Sequence, residues 1–225
     1  MKSEIPRWVE ENGLTTKIRL NTKEVSKAYQ GKSFFDEETL GTLHTALMGT
    51  HWIKDVSLEK SFPSKIHMSV NFRKPVVAFL YKDYWYTLDA EGYIVPIVEK
   101  KGVETLDVVR FIDVPELENR LKPGDMIEIS AIKKALKLST LITERVTSPG
   151  KLLRIIFIKD IEEKSFRYKL IFQNGLELLW GNELSDEEVD RFPTKFLTSE
   201  EKLGALFTTL SKNPSQLHIN LEFSK

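Results

Sequence analysis

Four histidines, His44, His51, His67 and His218, are the side chains best suited to hold a metal or move a proton near neutral pH. His44 and His51 lie seven positions apart, with Glu37 seven before His44, so two turns of one continuous helix would align an imidazole pair with a carboxylate. Metal sites on helices use the closer i, i+3 or i, i+4 spacing, and Gly49-Thr50 interrupts the segment before His51. A structural or solvated role is expected, and no metal ligand is assigned. The carboxylate runs Glu162-Glu163 and Asp186-Glu187-Glu188 sit in polar surroundings and are expected to be solvated loops or helix starts, not a general acid/base pair. There is no Gly-x-Ser-x-Gly elbow, and Gly41, Gly49 and Gly124 stand alone without forming a phosphate loop. Tyr81, Tyr84, Trp85 and Tyr86 crowd one segment that could stack on a sugar or base, but alternate aromatics in a strand more often pack. The expectation is therefore a protein with no catalytic residues, no cofactor and no metal.

Composition narrows the remaining choices. Lys plus Arg and Asp plus Glu are both 33, so the formal net charge is zero and no global field draws the chain to nucleic acid or an anionic membrane. The absence of cysteine excludes disulfides, thiolate nucleophiles and cysteine-ligated metals. With 225 residues, 41% of them hydrophobic, two modest cores are expected in preference to one large one. No stretch approaches the roughly 20 apolar residues of a membrane span. The start, Met1 to Trp8, lacks the apolar core of about 7 to 15 residues of a signal peptide. The chain as it stands is expected to be soluble.

Hydrophobic periodicity then supplies the elements. Thr15 to Leu20 alternates as a strand, and Asn21-Thr22 offers a cap for a short helix through about Tyr29. Asp36 to Met48 makes a second helix with Leu40, Leu43, Leu47 and Met48 on one face. Val56, Leu58 and Phe62, then Ile66, Met68, Val70 and Phe72, alternate as two strands joined at Pro63. Strand, helix, helix, strand, strand ends at Pro75.

A second, larger unit of mostly antiparallel strands follows over 76–225. Val76 to Leu80, Tyr84 to Leu88 and Tyr93 to Val95 read as strands, the last two joined by the turn residues Asp89-Ala90-Glu91-Gly92. Ile129 to Ile142 fits a covering helix, while 98–152 otherwise shows no recognisable motif. Leu153 to Ile158, Phe166 to Phe172 and Leu176 to Trp180 follow as strands. Asn174-Gly175 predicts a tight turn with positive φ at both central positions. Ser199-Glu200-Glu201 opens a final helix with Leu203, Leu206, Phe207 and Leu210 on its buried face, and Asn213-Pro214 stops it. Leu217, Ile219, Leu221 and Phe223 then alternate as a last strand with His218, Asn220 and Glu222 on its other side.

The order "Trp-Ile-x-x-Val" at Trp52, "Phe-Pro-x-x-Ile-x-Met-x-Val" at Phe62 and Arg73-Lys74-Pro75 resembles the POTRA module of the bacterial cell-division family FtsQ, also called DivIB. Asp89 to Gly92, the run from Gln173 to Gly181, the helix near Glu201-Lys202-Leu203 and His218 to Phe223 are similar to that family's β domain. Where the family often has an acid, this chain has Phe72 before the arginine and Asn220 in the last strand. The resemblance implies an α+β fold, a POTRA module over 1–75 and a β domain over 76–225. It also implies an extracytoplasmic place at the inner membrane of the division site, behind an N-terminal anchor.

What the resemblance further implies is a non-enzymatic scaffold of the divisome that binds FtsB and FtsL type partners and supports septal assembly. Its partner-binding segment would be Leu217, His218, Ile219, Asn220, Leu221, Glu222 and Phe223. The sequence alone permits the same conclusion about mechanism, because a terminal strand at a sheet edge is a template for a partner strand. An ordinary core strand is the competing expectation. A POTRA-bearing chaperone or transport component that captures extended polypeptides is the alternative function, and a carbohydrate-active enzyme built around Tyr84 comes third.

Overall fold

The computed structural model describes residues 37–61, 65–99, 106–117, 121–146, 150–160, 165–182 and 197–222. The strand expected at Thr15 to Leu20, the helix through Tyr29, the turn at Pro63, both acidic runs and Phe223 lie outside the described residues.

Helix α1, Glu37–Met48, opens with two acids at the positive end of its dipole and buries Leu47. The antiparallel pair β1, Ile53–Ser61, and β2, Lys65–Phe72, follows it. Val56 is paired with Val70 and Leu58 with Met68, so the period of two puts all four on one face. That face meets Leu43, Leu47 and Met48 of α1, while Ser57, Glu59, His67 and Ser69 are exposed. Of the expected order strand, helix, helix, strand, strand, the described residues contain helix, strand, strand.

Eight further strands form one sheet: β3 Val77–Tyr81, β4 Tyr84–Leu88, β5 Ile94–Glu99, β6 Val109–Ile112, β7 Leu152–Asp160, β8 Ser165–Phe172, β9 Glu177–Asn182 and β10 His218–Asn220. Their spatial order is β10-β9-β8-β7-β6-β3-β4-β5. The hairpin neighbours β3/β4, β4/β5, β7/β8 and β8/β9 are antiparallel. Parallel pairs enter where β6 is wedged between β3 and β7, and where β10 joins β9. The fold is mixed α+β around a mostly antiparallel sheet.

One row of side chains crosses seven of these strands. Tyr86, Phe79, Phe111, Ile155, Leu170, Leu178 and Ile219 are successive pairing partners. The six from Phe79 to Ile219 are between 0% and 6% exposed. Each large apolar side chain buried in this way contributes about 1.5–3 kcal/mol. Two helices supply the cover: α2, Ser130–Arg145, through Ile132, Ala135, Leu136, Leu138 and Ile142, and α3, Ser199–Lys212, through Leu203 and Leu206.

Local chemistry sets the ends. The N-cap of α3 is Thr198, one residue before the expected Ser199, because Thr198 and Glu201 close a reciprocal capping box. Gln173-Asn174-Gly175 departs from the expected turn: Gly175 alone has positive φ, at 87°. Gly175 N–H donates to Phe172 O and Phe172 N–H to Leu176 O, the pattern of a three-residue loop with glycine in the left-handed position. Both central residues are left-handed at Lys82-Asp83 instead, with φ of 47° and 66°, in the two-residue loop between β3 and β4.

The first hairpin meets the sheet at its β3–β5 end. Trp52 is 2% exposed and packs with Ala78, Val95, Ile97 and Leu106, with Phe72 beside them. Arg73 donates its N–H to Trp52 O at 2.8 Å and its guanidinium to Asp89 Oδ2 at 2.5 Å. Among the described residues, no helix is long and apolar enough to cross a membrane.

Candidate functional site: the open edge at β10

Asn213 ends α3, with its N–H on Thr209 O, and the chain returns through a turn to enter the sheet as β10. His218, Ile219 and Asn220 pair in parallel with Glu177, Leu178 and Leu179 of β9. Among the described strands β9 is the one neighbour of β10, so β10 is a sheet edge.

The flanking bonds set the direction of every main-chain group on that edge. Glu177 N–H donates to Leu217 O at 2.7 Å, and Leu221 N–H donates to Leu179 O at 2.8 Å. In a parallel ladder alternate residues bond to the same neighbour, so Leu217, Ile219 and Leu221 turn their main-chain groups toward β9. His218 and Asn220 turn theirs toward the open side. Two side chains already serve groups there: Gln216 Nε2 donates to His218 O, and Asn220 Oδ1 accepts the Glu222 N–H, both at 2.8 Å.

Six of the seven expected binding residues, Leu217 to Glu222, are described, and their side chains divide between the two faces. Ile219 and Leu221 are buried as expected, at 6% and 4%. Leu217 is 50% exposed, contrary to the core-facing expectation, because pairing begins at His218 and leaves Leu217 on the strand's rim. His218 and Asn220 are exposed. Glu222, expected on the side away from the core, is largely covered there: its carboxylate accepts from Arg167 Nη1 at 2.8 Å and its side chain is 10% exposed. Gly181 makes room for this: its φ is 76°, and a Cβ there would stand 3.1 to 3.3 Å from Glu222.

On the exposed face a charged row runs inward from the edge. His218 Nδ1 is 3.3 Å from Glu177 Oε2, and Lys169 Nζ is 2.8 Å from the same oxygen. The Lys169 hydrogen bond holds the Glu177 carboxyl below its ordinary 4.5, helped by the charges of Lys169 and His218.

The opposite edge differs. β5 carries Pro96, which has no N–H, and its pairing with β4 shifts register between Tyr86 and Thr87. Proline and a bulge are standard means of blunting an edge, and β10 has neither.

His44 lies on α1, and His51 lies beyond its end with φ 58°, so no continuous helix joins them. Among the described residues no group of three or more His, Cys, Asp or Glu could hold a metal. Tyr86 stacks on Phe79 with ring centroids 5.7 Å apart, Tyr81 donates its hydroxyl to Leu117 O, and Trp85 packs beside the Trp52 cluster. Tyr84 is 37% exposed. No protein-family model matches the chain, and no curated protein is significantly similar to it.

Proposed function

We propose that the chain is a non-enzymatic scaffold of the bacterial divisome, similar to FtsQ/DivIB, which binds an FtsB or FtsL type partner by strand addition at β10. It would act at the extracytoplasmic face of the inner membrane and support septal assembly. The observation that carries the proposal is a strand at the edge of the sheet among the described residues, His218–Asn220, which carries neither proline nor bulge and whose two outer residues direct main-chain groups away from the sheet. Its support is the order of motifs from Trp52 to Phe223, two of which, Arg73 and Asp89, touch in the fold.

A partner strand beside β10 would displace the Gln216 amide from His218 O and bond to His218 and Asn220. Four such bonds, at a net 0.5–1.5 kcal/mol each, total at most about 6 kcal/mol. Micromolar affinity needs about 8 kcal/mol. Apolar side chains of the partner must supply the difference, and a residue opposite Ile219 would extend the buried row that ends there.

Calorimetric titration with the extracytoplasmic segment of the cognate FtsB-type protein tests this. Saturable one-to-one binding is expected. Folded protein that binds no such segment but takes up extended outer-membrane polypeptides would replace the scaffold with a POTRA-type chaperone.

A further inference from the structure

The face of the sheet opposite α2 and α3 is covered unevenly. Trp52 packs on Ala78 of β3, and Ala78 is the direct pairing partner of Arg110 on β6. From Arg110 onward the face changes character. Arg110 is paired directly with Arg154 on β7, and Arg154 with Ile171 on β8. One row along, Ile112 is paired with Ile156, and Leu80 of β3 falls beside Ile112 because Phe79 and Phe111 are partners.

Neither arginine has an ion-pair partner among the described residues. Like charges placed directly opposite across a strand pair repel, and here no carboxylate relieves them. The apolar neighbours are also incompletely covered: Leu80 is 49% exposed, and Ile112, Ile156 and Ile171 are half-buried. Two guanidiniums without ion-pair partners among the described residues, beside half-buried isoleucines, are complementary to carboxylates bordering an apolar stripe. A sheet face is ordinarily covered by helices, and on the reverse side of these same strands α2 does so with Ile132, Leu136 and Ile142.

We propose that the Arg110 and Arg154 face docks an acidic amphipathic helix from a partner chain, at a site separate from the β10 edge. The apolar stripe of that helix lies on Leu80, Ile112 and Ile156, and carboxylates at i, i+4 spacing reach the two guanidiniums.

The test uses the full chain and two synthetic helical peptides, one with glutamates flanking a leucine stripe and one with lysines in their place. Fluorescence anisotropy measures affinity, and isoleucine-methyl NMR locates the contact. The glutamate peptide is expected to bind saturably, to shift Ile112, Ile156 and Ile171, and to weaken with added salt. Arg110→Gln with Arg154→Gln should raise its Kd about tenfold or more, the loss expected for charge-assisted hydrogen bonds. Lys137→Gln, exposed on α2, should leave it unchanged. Equal binding of the lysine peptide, shifts elsewhere, or no saturable binding would overturn the proposal. So would concentration-dependent shifts of these methyls without peptide, which would make a second copy of the chain the occupant.

Discussion

Arg73 and Asp89 join the first hairpin to the large sheet through a nearly buried ion pair, Nη1 to Oδ2 at 2.5 Å, with side chains 11% and 6% exposed. Asp89 Oδ1 meanwhile accepts the N–H groups of Glu91 and Tyr93, at 3.0 and 2.9 Å. The Arg73 guanidinium also lies 4.0 Å from the centre of the Tyr93 ring. One carboxylate therefore closes its own turn and holds an arginine from 16 residues earlier. Asp89→Ala should cost about 3 kcal/mol, the lower end for breaking a buried pair. Urea unfolding measures it, and a loss below about 1 kcal/mol, the range of exposed pairs, would show that Asp89 is not the joint. Arg73→Lys should cost less than removal but more than zero, since the ammonium keeps the charge and loses the fork and the ring stack.

Replacing one member of the Arg110 and Arg154 pair tests the repulsion independently of any ligand. Arg154→Glu turns like charges into a cross-strand pair with Arg110 and should raise stability by about 0.5 kcal/mol. Because both are partly solvated, the gain should shrink in high salt. Destabilisation by the same substitution would mean that the arginine stem, not its charge, matters at this position.

Glu177 links the edge strand to pH. Its carboxyl is held below 4.5 in the folded chain, so its contribution to stability is complete above the unfolded value and is lost as pH falls through the depressed folded value. The difference in urea midpoint between wild type and Glu177→Gln should therefore persist from neutral pH to about 5 and close below 4.5. A difference that stays constant into strong acid would assign the effect to shape and not to charge.

Thr198→Ala should cost about 1 kcal/mol and Thr198→Ser much less, since serine keeps the capping hydroxyl. Thermal unfolding of the two variants distinguishes them, and equal losses would contradict the capping assignment.

How much was legible in the chain follows from how local each cause is. Val56 to Val70, the strands around Leu170 and Leu178, and the buried stripe of α2 all declare themselves through side-chain period. The capping box is also local: Thr198-Ser199-Glu200-Glu201 spells it one residue before the helix start that the acids suggested. β6 is different, because Val109–Ile112 is only 4 residues long and becomes a central strand through β3 and β7, which lie far away in sequence. Lys82-Asp83 adopts the doubly left-handed loop without glycine because Tyr81 paired to Tyr84 leaves two loop residues, whose favoured turn matches the strand twist with both φ positive, while Gln173-Asn174-Gly175 closes as a three-residue loop. At the candidate site, the alternation of Ile219 and Leu221 was readable, but which N–H groups face outward depends on the parallel register with β9. In that register, proline at Ile219 would remove a bond to β9 and leave the open-edge donors in place.

The most direct measurement is therefore the affinity of the FtsB-type segment for His218→Pro against His218→Ala. Both lose the imidazole and its contact with Glu177, but only proline removes the outward N–H, and the ladder to β9 through Ile219 survives in each. With both variants folded, strand addition at β10 predicts that His218→Ala binds within a few-fold of wild type and His218→Pro about tenfold more weakly or not at all. Equal affinity of the two variants would contradict it.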